Sequence, residues 1–439
     1  MTQPDLAVSG KLFVDSEFSE GAVIVSGKRI SDILPVSAIP SSAEHLEFED
    51  HWILPSLVDV HVHLRDFEEK SKEDFESGTR AAVAGGFSAV VAMPNTHPPL
   101  NSSQRMSDAL GSAEGRIFCD VGFHCGLPRG GDEVNPLISS GAFSMKLYPE
   151  DLSLLFEGKS DCRVGDLQRQ DLTLYAHAED DECIRRSRLA LGERLKGTES
   201  HGEVRPGRCE TSSIGKILES LSKCDVHIAH LTTSAGLEML KNPIRSKKVS
   251  AEATTHHLSK TKAETKSLGG IAKVNPPLRD ARDVEALRRG VNQGLVSIIV
   301  SDHAPHLLSQ KQEEYYDRIP AGFPGLETAL GAVLRMAKEE QLNLVQALRC
   351  MAWNPCRRFG LSEMGRISPG FLANLVVVDP KESWVVKAEN FFSKAKYSIF
   401  EGDELVGKVK MTMVRGKIAF EDGYVTRKPT GQVLRRCRS

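Results

Sequence analysis

Two histidines, His61 and His63, stand one residue apart at the end of an apolar run, in the stretch DVHVHLRD. In a β-strand the side chains of residues i and i+2 leave the same face, so both imidazoles project together. Two imidazoles on one face supply half of the ligands of a zinc site. By itself the pair is as compatible with two structural histidines, so the metal hypothesis depends on partners elsewhere in the chain.

Further side chains of the ligand type follow four later apolar runs: Lys146 after AFSM, His177 after LTLYA, His230 after DVHIA and Asp302 after LVSIIVS. A lysine ammonium would repel a cation. A neutral amine can add carbon dioxide, however, and the anionic carbamate has two oxygens that can bridge two metals. Four histidines, a lysine and an aspartate at one place therefore predict a binuclear metal site.

Eight apolar, β-branched runs, each followed by an amphipathic helical stretch, could bring these residues together. They are ILPSLVDVHVH, FSAVVAMPN, RIFCDVGFHCG, AFSMKLY, LTLYAHAE, DVHIAHLT, KVSAEATTHHL and LVSIIVSDHAPH. Strands that alternate with helices indicate parallel βα units, and eight units predict an α/β fold, a closed (β/α)8 TIM barrel. An open doubly wound sheet is the alternative, but the phosphate-binding G-x-G-x-x-G is missing after the first strand. Barrel enzymes keep their active sites at the carboxyl ends of the strands, where the ligand-type residues stand.

The two flanks of the chain differ from its centre. Residues 1 to about 50 and about 370 to 439 contain short strands broken by Gly, Asp and Pro, as in GAVIVSGKRISDI and KVKMTMVRGKIAFEDGYV. This pattern is typical of antiparallel sheets. We therefore predict two domains: residues 51–369 form the metal-dependent barrel, and residues 1–50 and 370–439 pair into one small composite β-sandwich.

The charge of the chain is nearly balanced, with 56 lysines and arginines against 59 aspartates and glutamates. This gives no electrostatic reason to expect nucleic acid or an anionic membrane as a partner. The first residues, MTQPDLAVSGKLF, lack the basic and apolar regions of a signal peptide, so we expect a soluble, cytoplasmic protein. The nine cysteines are odd in number and contain no C-x-x-C, which predicts reduced thiols rather than a zinc ribbon or a disulfide framework.

Nine motifs occur in one order between about residues 50 and 370: DVHVHLRD, KEDFESGTRAAVAGGF, MPNT, MKLY, AHAE, IAHLTTSAG, KVNPPLRD, SDHAPH and FPGLET. Together they resemble the motif series of the amidohydrolase superfamily, and within it most closely the type I dihydroorotases of pyrimidine (UMP) biosynthesis. The resemblance implies a hydrolase acting on cyclic amide C–N bonds. The implied reaction is the reversible, zinc-dependent cyclisation of N-carbamoyl-L-aspartate to (S)-dihydroorotate.

The resemblance also implies roles for individual residues. Two zinc ions bridged by carbamylated Lys146 would have as further ligands His61, His63 and Asp302 for the first ion, and His177 and His230 for the second. Asp302 would also be the catalytic residue that moves the proton between water and the ring nitrogen. The substrate would be held by Arg65, Asn95, Asn275 and His306. A guanidinium suits this task because it pairs with a carboxylate in a forked geometry that a lysine cannot copy.

Two stretches depart from the family pattern. Phe67 and Glu68 stand where the family often has Pro-Gly, which predicts a different loop beside Arg65. The stretch LYPEDLSL lacks the Thr-Phe pair that some relatives place on a mobile lid. Some relatives bridge their metals with an aspartate, whereas the MKLY pattern favours lysine here.

Hydantoinases and allantoinases, which share the metal set, are the alternative. Their motifs usually lack an arginine after H-x-H and show His-Tyr where this chain has His256 and His257. A noncatalytic scaffold relative would have lost metal ligands, and this chain has them all. The resemblance implies that the protein binds a small-molecule substrate and forms a homodimer. It leaves open whether the protein associates with aspartate transcarbamoylase.

Overall fold

The computed structural model describes residues 5–128, 134–195, 197–246 and 249–436. Its strands are β1 (Leu6–Val14), β2 (Glu17–Ser26), β3 (Arg29–Leu34), β4 (Glu44–Pro55), β5 (Leu57–Val62), β6 (Phe87–Ala92), β7 (Asp120–Phe123), β8 (Cys125–Gly126), β9 (Ser144–Leu147), β10 (Thr173–Ala176), β11 (Asp225–Ile228), β12 (Val249–Thr254), β13 (Ile298–Val300), β14 (Leu375–Val385), β15 (Glu404–Val414), β16 (Lys417–Glu421) and β17 (Tyr424–Val425).

The helices are α1 (Phe75–Ala84), α2 (Ser103–Ala113), α3 (Val134–Ser139), α4 (Pro149–Phe156), α5 (Val164–Gln168), α6 (Asp181–Leu191), α7 (His201–Val204), α8 (Gly207–Ser220), α9 (Ser234–Arg245), α10 (Thr255–Ser259), α11 (Ala263–Leu268), α12 (Ala281–Asn292), α13 (Leu308–Lys311), α14 (Leu326–Lys338), α15 (Leu344–Met351) and α16 (Trp353–Phe359). None of the helices in the described ranges is long and apolar enough to cross a membrane.

The centre of the fold is a barrel of parallel strands in two hydrogen-bonded arcs. β5, β6 and β7 form one arc, and β8 to β13 form the other. Phe143 N donates to Phe123 O (3.0 Å) where the arcs meet after β7, and His63 N donates to His303 O (2.7 Å) where they meet between β5 and β13. β5 and β6 are buried along their whole length, as continuous apolar runs predict for strands covered on both faces. The predicted (β/α)8 barrel is confirmed.

Side-chain caps end the loops that carry two of the candidate ligands. Asp180 accepts a hydrogen bond from Cys183 N (3.3 Å) at the start of α6, three residues after His177. Thr233 Oγ1 accepts from Gly236 N (3.0 Å) at the start of α9, three residues after His230. Because each cap satisfies an amide that the first helical turn leaves free, the loop between strand and helix is short and defined. The sequence thus holds both histidines close to their strands.

Strands from both flanks join one eight-stranded mixed sheet, in the order β17-β16-β15-β14-β4-β1-β2-β3. β1 runs parallel to β4, and β4 pairs antiparallel with β14, with Pro55 opposite Leu375. The predicted fold class, a barrel with a small sandwich made by the two flanks, is thereby confirmed. For the domain boundaries we propose the division at residues 50 and 370, although β4 crosses the first of these positions.

The prediction that all cysteines are reduced is wrong for one pair. Cys183 on α6 and Cys209 on α8 form a disulfide, with their Cα atoms 5.4 Å apart. The pairing arises because the amino-terminal turns of two helices meet in space, and no spacing in the sequence reveals such a meeting. Six other cysteines are free and buried, and Cys437 lies outside the described residues.

Candidate active site

All ten residues predicted from the sequence line one cavity of about 300 Å³ at the carboxyl ends of the barrel strands: His61, His63, Arg65, Asn95, Lys146, His177, His230, Asn275, Asp302 and His306. The cavity therefore collects side chains from segments that are up to about 240 residues apart in the chain, as strand ends of one barrel must. Within the described ranges, one group of three or more His, Cys, Asp or Glu side chains is close enough to hold a metal ion. It consists of His61, His63 and Asp302.

His61 and His63 turn equivalent ring atoms toward Asp302. Asp302 Oδ1 lies 3.5 Å from His61 Nε2 and 3.3 Å from His63 Nε2. The opposite ring atoms are engaged, since His61 Nδ1 lies 2.6 Å from Glu252 Oε1 and His63 Nδ1 lies 2.6 Å from Asn95 Oδ1. Both acceptors take the Nδ1 proton, and burial lowers the pKa of His63 to about 4, so its ring is neutral. The Nε2 atoms of both rings and an oxygen of the Asp302 carboxylate then face one another, an arrangement that fits a cation between them.

The second half of the candidate metal centre contains polar atoms without a protein partner. Lys146 Nζ and His230 Nδ1 are buried and have no hydrogen-bond partner among the described residues. The ring centroids of His177 and His230 are 4.3 Å apart, and His177 Nε2 lies 2.7 Å from Glu179 Oε2, so the other ring nitrogen of His177 is not the one engaged by this carboxylate. Burial lowers the pKa of Lys146 to about 8, which makes the neutral amine more accessible than in an exposed lysine. Buried polar atoms are normally satisfied, so these orphaned atoms fit ligands of a bound group.

Glu252 on β12 links the two halves from behind. Its Oε1 accepts from His61 Nδ1 and from the backbone N of His230 (3.1 Å), and its Oε2 accepts from Tyr175 Oη and from His227 Nε2 (3.1 Å). Burial alone would raise the pKa of Glu252, but the neighbouring His61 and His227 hold it well below its usual range. One carboxylate therefore orients a histidine of the first half and the backbone of the second.

The opposite side of the cavity is built to receive a polar group. Arg65 is buried, and its Nε donates to Pro305 O (3.2 Å). Three buried atoms that line this side have no hydrogen-bond partner in the described part of the chain: Tyr148 Oη, Asn275 Oδ1 and His306 Nδ1. Unpartnered buried polar groups are costly unless a ligand satisfies them.

His306 has two neighbours that compete for one ring atom. Its Nε2 lies 3.1 Å from Arg65 Nη2 and 3.0 Å from Ala321 O. Burial, and then the charge of Arg65, lower the pKa of His306 to about 2, so the ring carries one proton. The ring can either accept from Arg65, with the proton on Nδ1, or donate to Ala321. In the first tautomer, Nδ1 offers a donor to the cavity.

The loop beside Arg65 has an unusual backbone. Arg65, Asp66 and Phe67 have φ values of 56°, 57° and 47°. Asp66 supports the loop, because its carboxylate accepts from Phe75 N (3.0 Å) and pairs with Arg116 Nη2 (2.8 Å). Three consecutive residues in the left-handed region turn the chain sharply after β5 and bring the guanidinium back over the cavity.

Asn95 lines the cavity, and its Oδ1 also accepts from His63 Nδ1; binding of substrate by Asn95 remains a prediction. Three other residues of the site received no role from the sequence. Tyr148 and Glu179 stand two residues after Lys146 and His177, so the rule that placed His61 beside His63 could have found them. Glu252 had a weaker signal, a single acid within the apolar run KVSAEAT.

Comparisons with known proteins agree with this geometry. A model described as the amidohydrolase family matches residues 160–419, and one described as dihydro-orotase-like matches residues 50–235. A dihydroorotase of Thermococcus kodakarensis is 33% identical, covering 97% of this chain and 97% of the relative. A dihydroorotase of Methanosarcina acetivorans is 30% identical over 97% of this chain and 94% of the relative. The chain belongs to the amidohydrolase family, among the dihydroorotases.

Solved structures similar to this one support the fold. The L-hydantoinase (dihydropyrimidinase) of Arthrobacter aurescens has a TM-score of 0.90 at 24% identity, covering 99% of this chain and 100% of that one. The dihydropyrimidinase of Brevibacillus agri has a TM-score of 0.89 at 19% identity, with the same coverage. At this identity the likeness concerns the architecture alone. The metal dependence general to the amidohydrolase family agrees with the His61, His63 and Asp302 cluster.

Proposed function

We propose that the protein is a dihydroorotase, which interconverts N-carbamoyl-L-aspartate and (S)-dihydroorotate in pyrimidine biosynthesis. The observation that carries this proposal is the buried guanidinium of Arg65 at the rim of the cavity that holds the metal-ligand cluster. Its nearest carboxylate oxygen, on Glu69, is 3.8 Å away, so the charge is incompletely paired. A substrate with a carboxylate would complete the pairing. Dihydroorotate has such a group, whereas allantoin and simple hydantoins do not.

We infer that the cavity holds two zinc ions bridged by carbamylated Lys146. His61, His63 and Asp302 would bind the first, and His177 and His230 the second. The facing lone pairs and the orphaned Lys146 and His230 atoms support this assignment. Metal bound there supplies Lewis-acid activation of the attacking water and of the ring carbonyl.

The protein groups then have separate tasks. Asp302 accepts the proton of the attacking water and donates it to the departing ring nitrogen as the amide C–N bond breaks. Arg65 and His306 hold the exocyclic carboxylate, His306 through the proton on Nδ1. Asn275 and Asn95 complete the substrate site, and Tyr148 adds an unpartnered hydroxyl to it. In the biosynthetic direction Asp302 takes the proton from the attacking ureido nitrogen instead.

The reaction has a fixed dependence on pH. Ring closure converts one carboxylate into an amide, so the product has one negative charge fewer and a proton is taken up. Low pH therefore favours dihydroorotate, and high pH favours its hydrolysis, whatever the enzyme does to the rates. Well above the pKa of the substrate carboxylates, about 4, the equilibrium ratio of dihydroorotate to N-carbamoyl-L-aspartate should fall tenfold per pH unit.

A substrate panel tests the proposal. We expect strong zinc-dependent hydrolysis of dihydroorotate and little of allantoin or of dihydrouracil, which lacks only the carboxylate. Arg65→Met should reduce kcat/KM for dihydroorotate by about a hundredfold or more, because it removes the charged partner inside a buried site. Arg366→Met, at a surface arginine over Trp353, is the matched control. Equal rates on dihydrouracil and dihydroorotate would refute the assignment in favour of the hydantoinase alternative.

We further propose that the protein is cytoplasmic and forms a homodimer. In each subunit the barrel would correspond to residues 51–369, and the two flanks would form the composite domain. The metabolic character of the dihydroorotase relatives supports the location. Light scattering coupled to size exclusion tests the dimer. Addition of aspartate transcarbamoylase in the same experiment tests whether the two proteins associate.

A further inference from the structure

Lys311, at the end of α13, is an unusual buried lysine. It is 1% exposed, and its Nζ donates to three backbone carbonyl oxygens, those of Lys273 (3.1 Å), Pro320 (2.8 Å) and Gly322 (2.7 Å). Burial and the nearby Lys273 lower the pKa of Lys311 well below its ordinary value, whereas three carbonyl acceptors match the three protons of the ammonium form and favour it. Burying a charge is costly unless hydrogen bonds compensate for lost water, and a methionine would fill similar space without that demand. The Nζ group of Lys311 therefore serves to hold these carbonyls in place.

Lys273 holds the same loop from a second side. It is 6% exposed, and its Nζ donates to Tyr316 O (2.6 Å) and Ile319 O (2.7 Å). The Nζ atom also lies 3.7 Å from the centroid of the Tyr316 ring, within the range of a cation–π interaction. Two lysine side chains thus hold the segment from Tyr316 to Gly322 through hydrogen bonds to its backbone carbonyls.

The carbonyl of Lys273 connects this segment to the other wall of the cavity. Lys273 O accepts from Lys311 Nζ and also from Gly322 N (2.8 Å). Val274 and Asn275, which follow Lys273 directly, line the cavity, as do Ala321 and Gly322.

Gly322 is held in a backbone conformation that leaves little freedom. Its φ is 123°, and a Cβ atom there would lie 2.6 Å from Ala304 O. Ala321 O lies 3.0 Å from His306 Nε2, the ring atom that also contacts Arg65. A shift of this segment would therefore alter the tautomer and position of His306.

We propose that Lys311 and Lys273 are positioning residues for the carboxylate end of the substrate site. They hold Asn275 on one wall and Ala321 and Gly322 on the other, so that Arg65 and His306 meet the carboxylate in the right geometry. This inference rests on the proposed function, because it assumes that the substrate has a carboxylate at this end. The two lysines touch no metal ligand, so their effect is expected on substrate binding and not on metal binding.

The test compares Lys311→Met and Lys273→Met with Lys260→Met in the zinc-loaded protein. Lys260 is a matched control because its largely buried ammonium pairs with Asp403 (2.8 Å) and the residue does not line the cavity. We expect KM for dihydroorotate to rise roughly tenfold to a hundredfold in the two test variants, as displacements of about 1 Å produce. Metal content, kcat and kcat/KM for dihydrouracil should stay close to those of the unmodified protein.

A purely structural role would lower metal content, kcat and the activity on both substrates together, and that outcome overturns the inference, as does an unchanged KM. If Lys311→Met does not fold, Lys273→Met is judged by the same criteria. Amide hydrogen exchange of residues 316–322 separates this inference from the proposed function. The amide exchange rate of these residues should increase in Lys311→Met but not in Lys260→Met. An unchanged rate in Lys311→Met overturns the proposal that Lys311 holds this segment, whether or not dihydroorotate is the substrate.

Discussion

Replacing Glu252 by alanine is expected to weaken metal binding, because its carboxylate is the acceptor for four donors around the candidate metal centre. These donors are His61 Nδ1, the His230 backbone N, Tyr175 Oη and His227 Nε2. Tyr175 can rotate its hydroxyl, and His227 can move its proton to Nδ1, which faces Ser250 Oγ at 2.7 Å. For His61 Nδ1 the alternative acceptor is the Tyr175 hydroxyl at a longer distance of 3.3 Å, and for the backbone N of His230 the described residues offer no other acceptor.

The two donors that adapt least, His61 Nδ1 and the backbone N of His230, set the magnitude of the lost stability. An unsatisfied buried donor costs about 1–3 kcal/mol, so the alanine variant should lose roughly 2–6 kcal/mol of unfolding free energy. Loss of the acceptor behind a metal-ligating histidine typically weakens metal affinity by about tenfold to a hundredfold. Glu252→Gln should lose less stability and less metal affinity than Glu252→Ala. Its amide oxygen can still accept from His61 and His230, while its NH2 group faces Tyr175 and His227. We expect its metal affinity within about tenfold of the unmodified protein.

The assay is competition for zinc against a chromophoric chelator, with thermal unfolding of the metal-free proteins measured in parallel. Glu327→Ala is the control: this partly buried carboxyl group accepts from Phe392 N (3.0 Å) and Ser393 N (3.1 Å) and does not line the active-site cavity. The control should lose stability and keep zinc affinity. Zinc affinity that is equal in Glu252→Ala and the unmodified protein would contradict the role assigned to this carboxylate.

Three further predictions concern single residues. Asp302→Asn keeps an oxygen ligand but removes the proton acceptor, so elemental analysis should find most of the metal retained while turnover falls by roughly a hundredfold or more. Lys146→Ala should lose both metal and activity, and retention of both would disprove the carbamate bridge. Burial raises the pKa of Glu327 to about 8, so its native state keeps a proton that the unfolded state releases above its ordinary value of 4.5. The stabilisation by the protonated carboxyl group is full below pH 4.5 and is lost as pH rises through about 8. Between these two pKa values the unfolding free energy of the unmodified protein should therefore fall, relative to that of Glu327→Gln, by up to about 1.4 kcal/mol per pH unit. Urea unfolding of both proteins across this pH range measures the difference.

The location of the site could be predicted because barrel topology leaves little choice. Apolar β-branched runs mark the strands, and the carboxyl ends of parallel strands meet at one rim. Lys146 on β9 and Asp302 after β13 therefore had to come together once the barrel was recognised, although 156 positions separate them in the chain. The family resemblance then supplied the roles that spacing alone does not indicate.

Contacts behind the site could not be predicted in the same way. The acceptor for His63 Nδ1 is Asn95 Oδ1. This contact depends on the relative register of β5 and β6 and on one side-chain torsion. The pairing of Cys183 with Cys209 depends likewise on how two helices pack. Such contacts are set by distances of an ångström or two, and a periodicity in sequence does not carry that information.

Backbone strain at the site is the clearest case in which local propensity fails. Five of the ten non-glycine residues with positive φ in the described ranges belong to it: Arg65, Asp66, Phe67, His230 and Asp302. Each such residue costs on the order of 1–3 kcal/mol, and the surrounding structure must impose it. His230 and Asp302 both stand two residues beyond the end of their strands, β11 and β13. At that position a continued pleat would carry the chain out of the barrel, whereas a left-handed residue turns it and keeps the side chain over the mouth. The cost is therefore concentrated where a functional group must face inward, and a sequence rule based on favourable local conformations necessarily misses it.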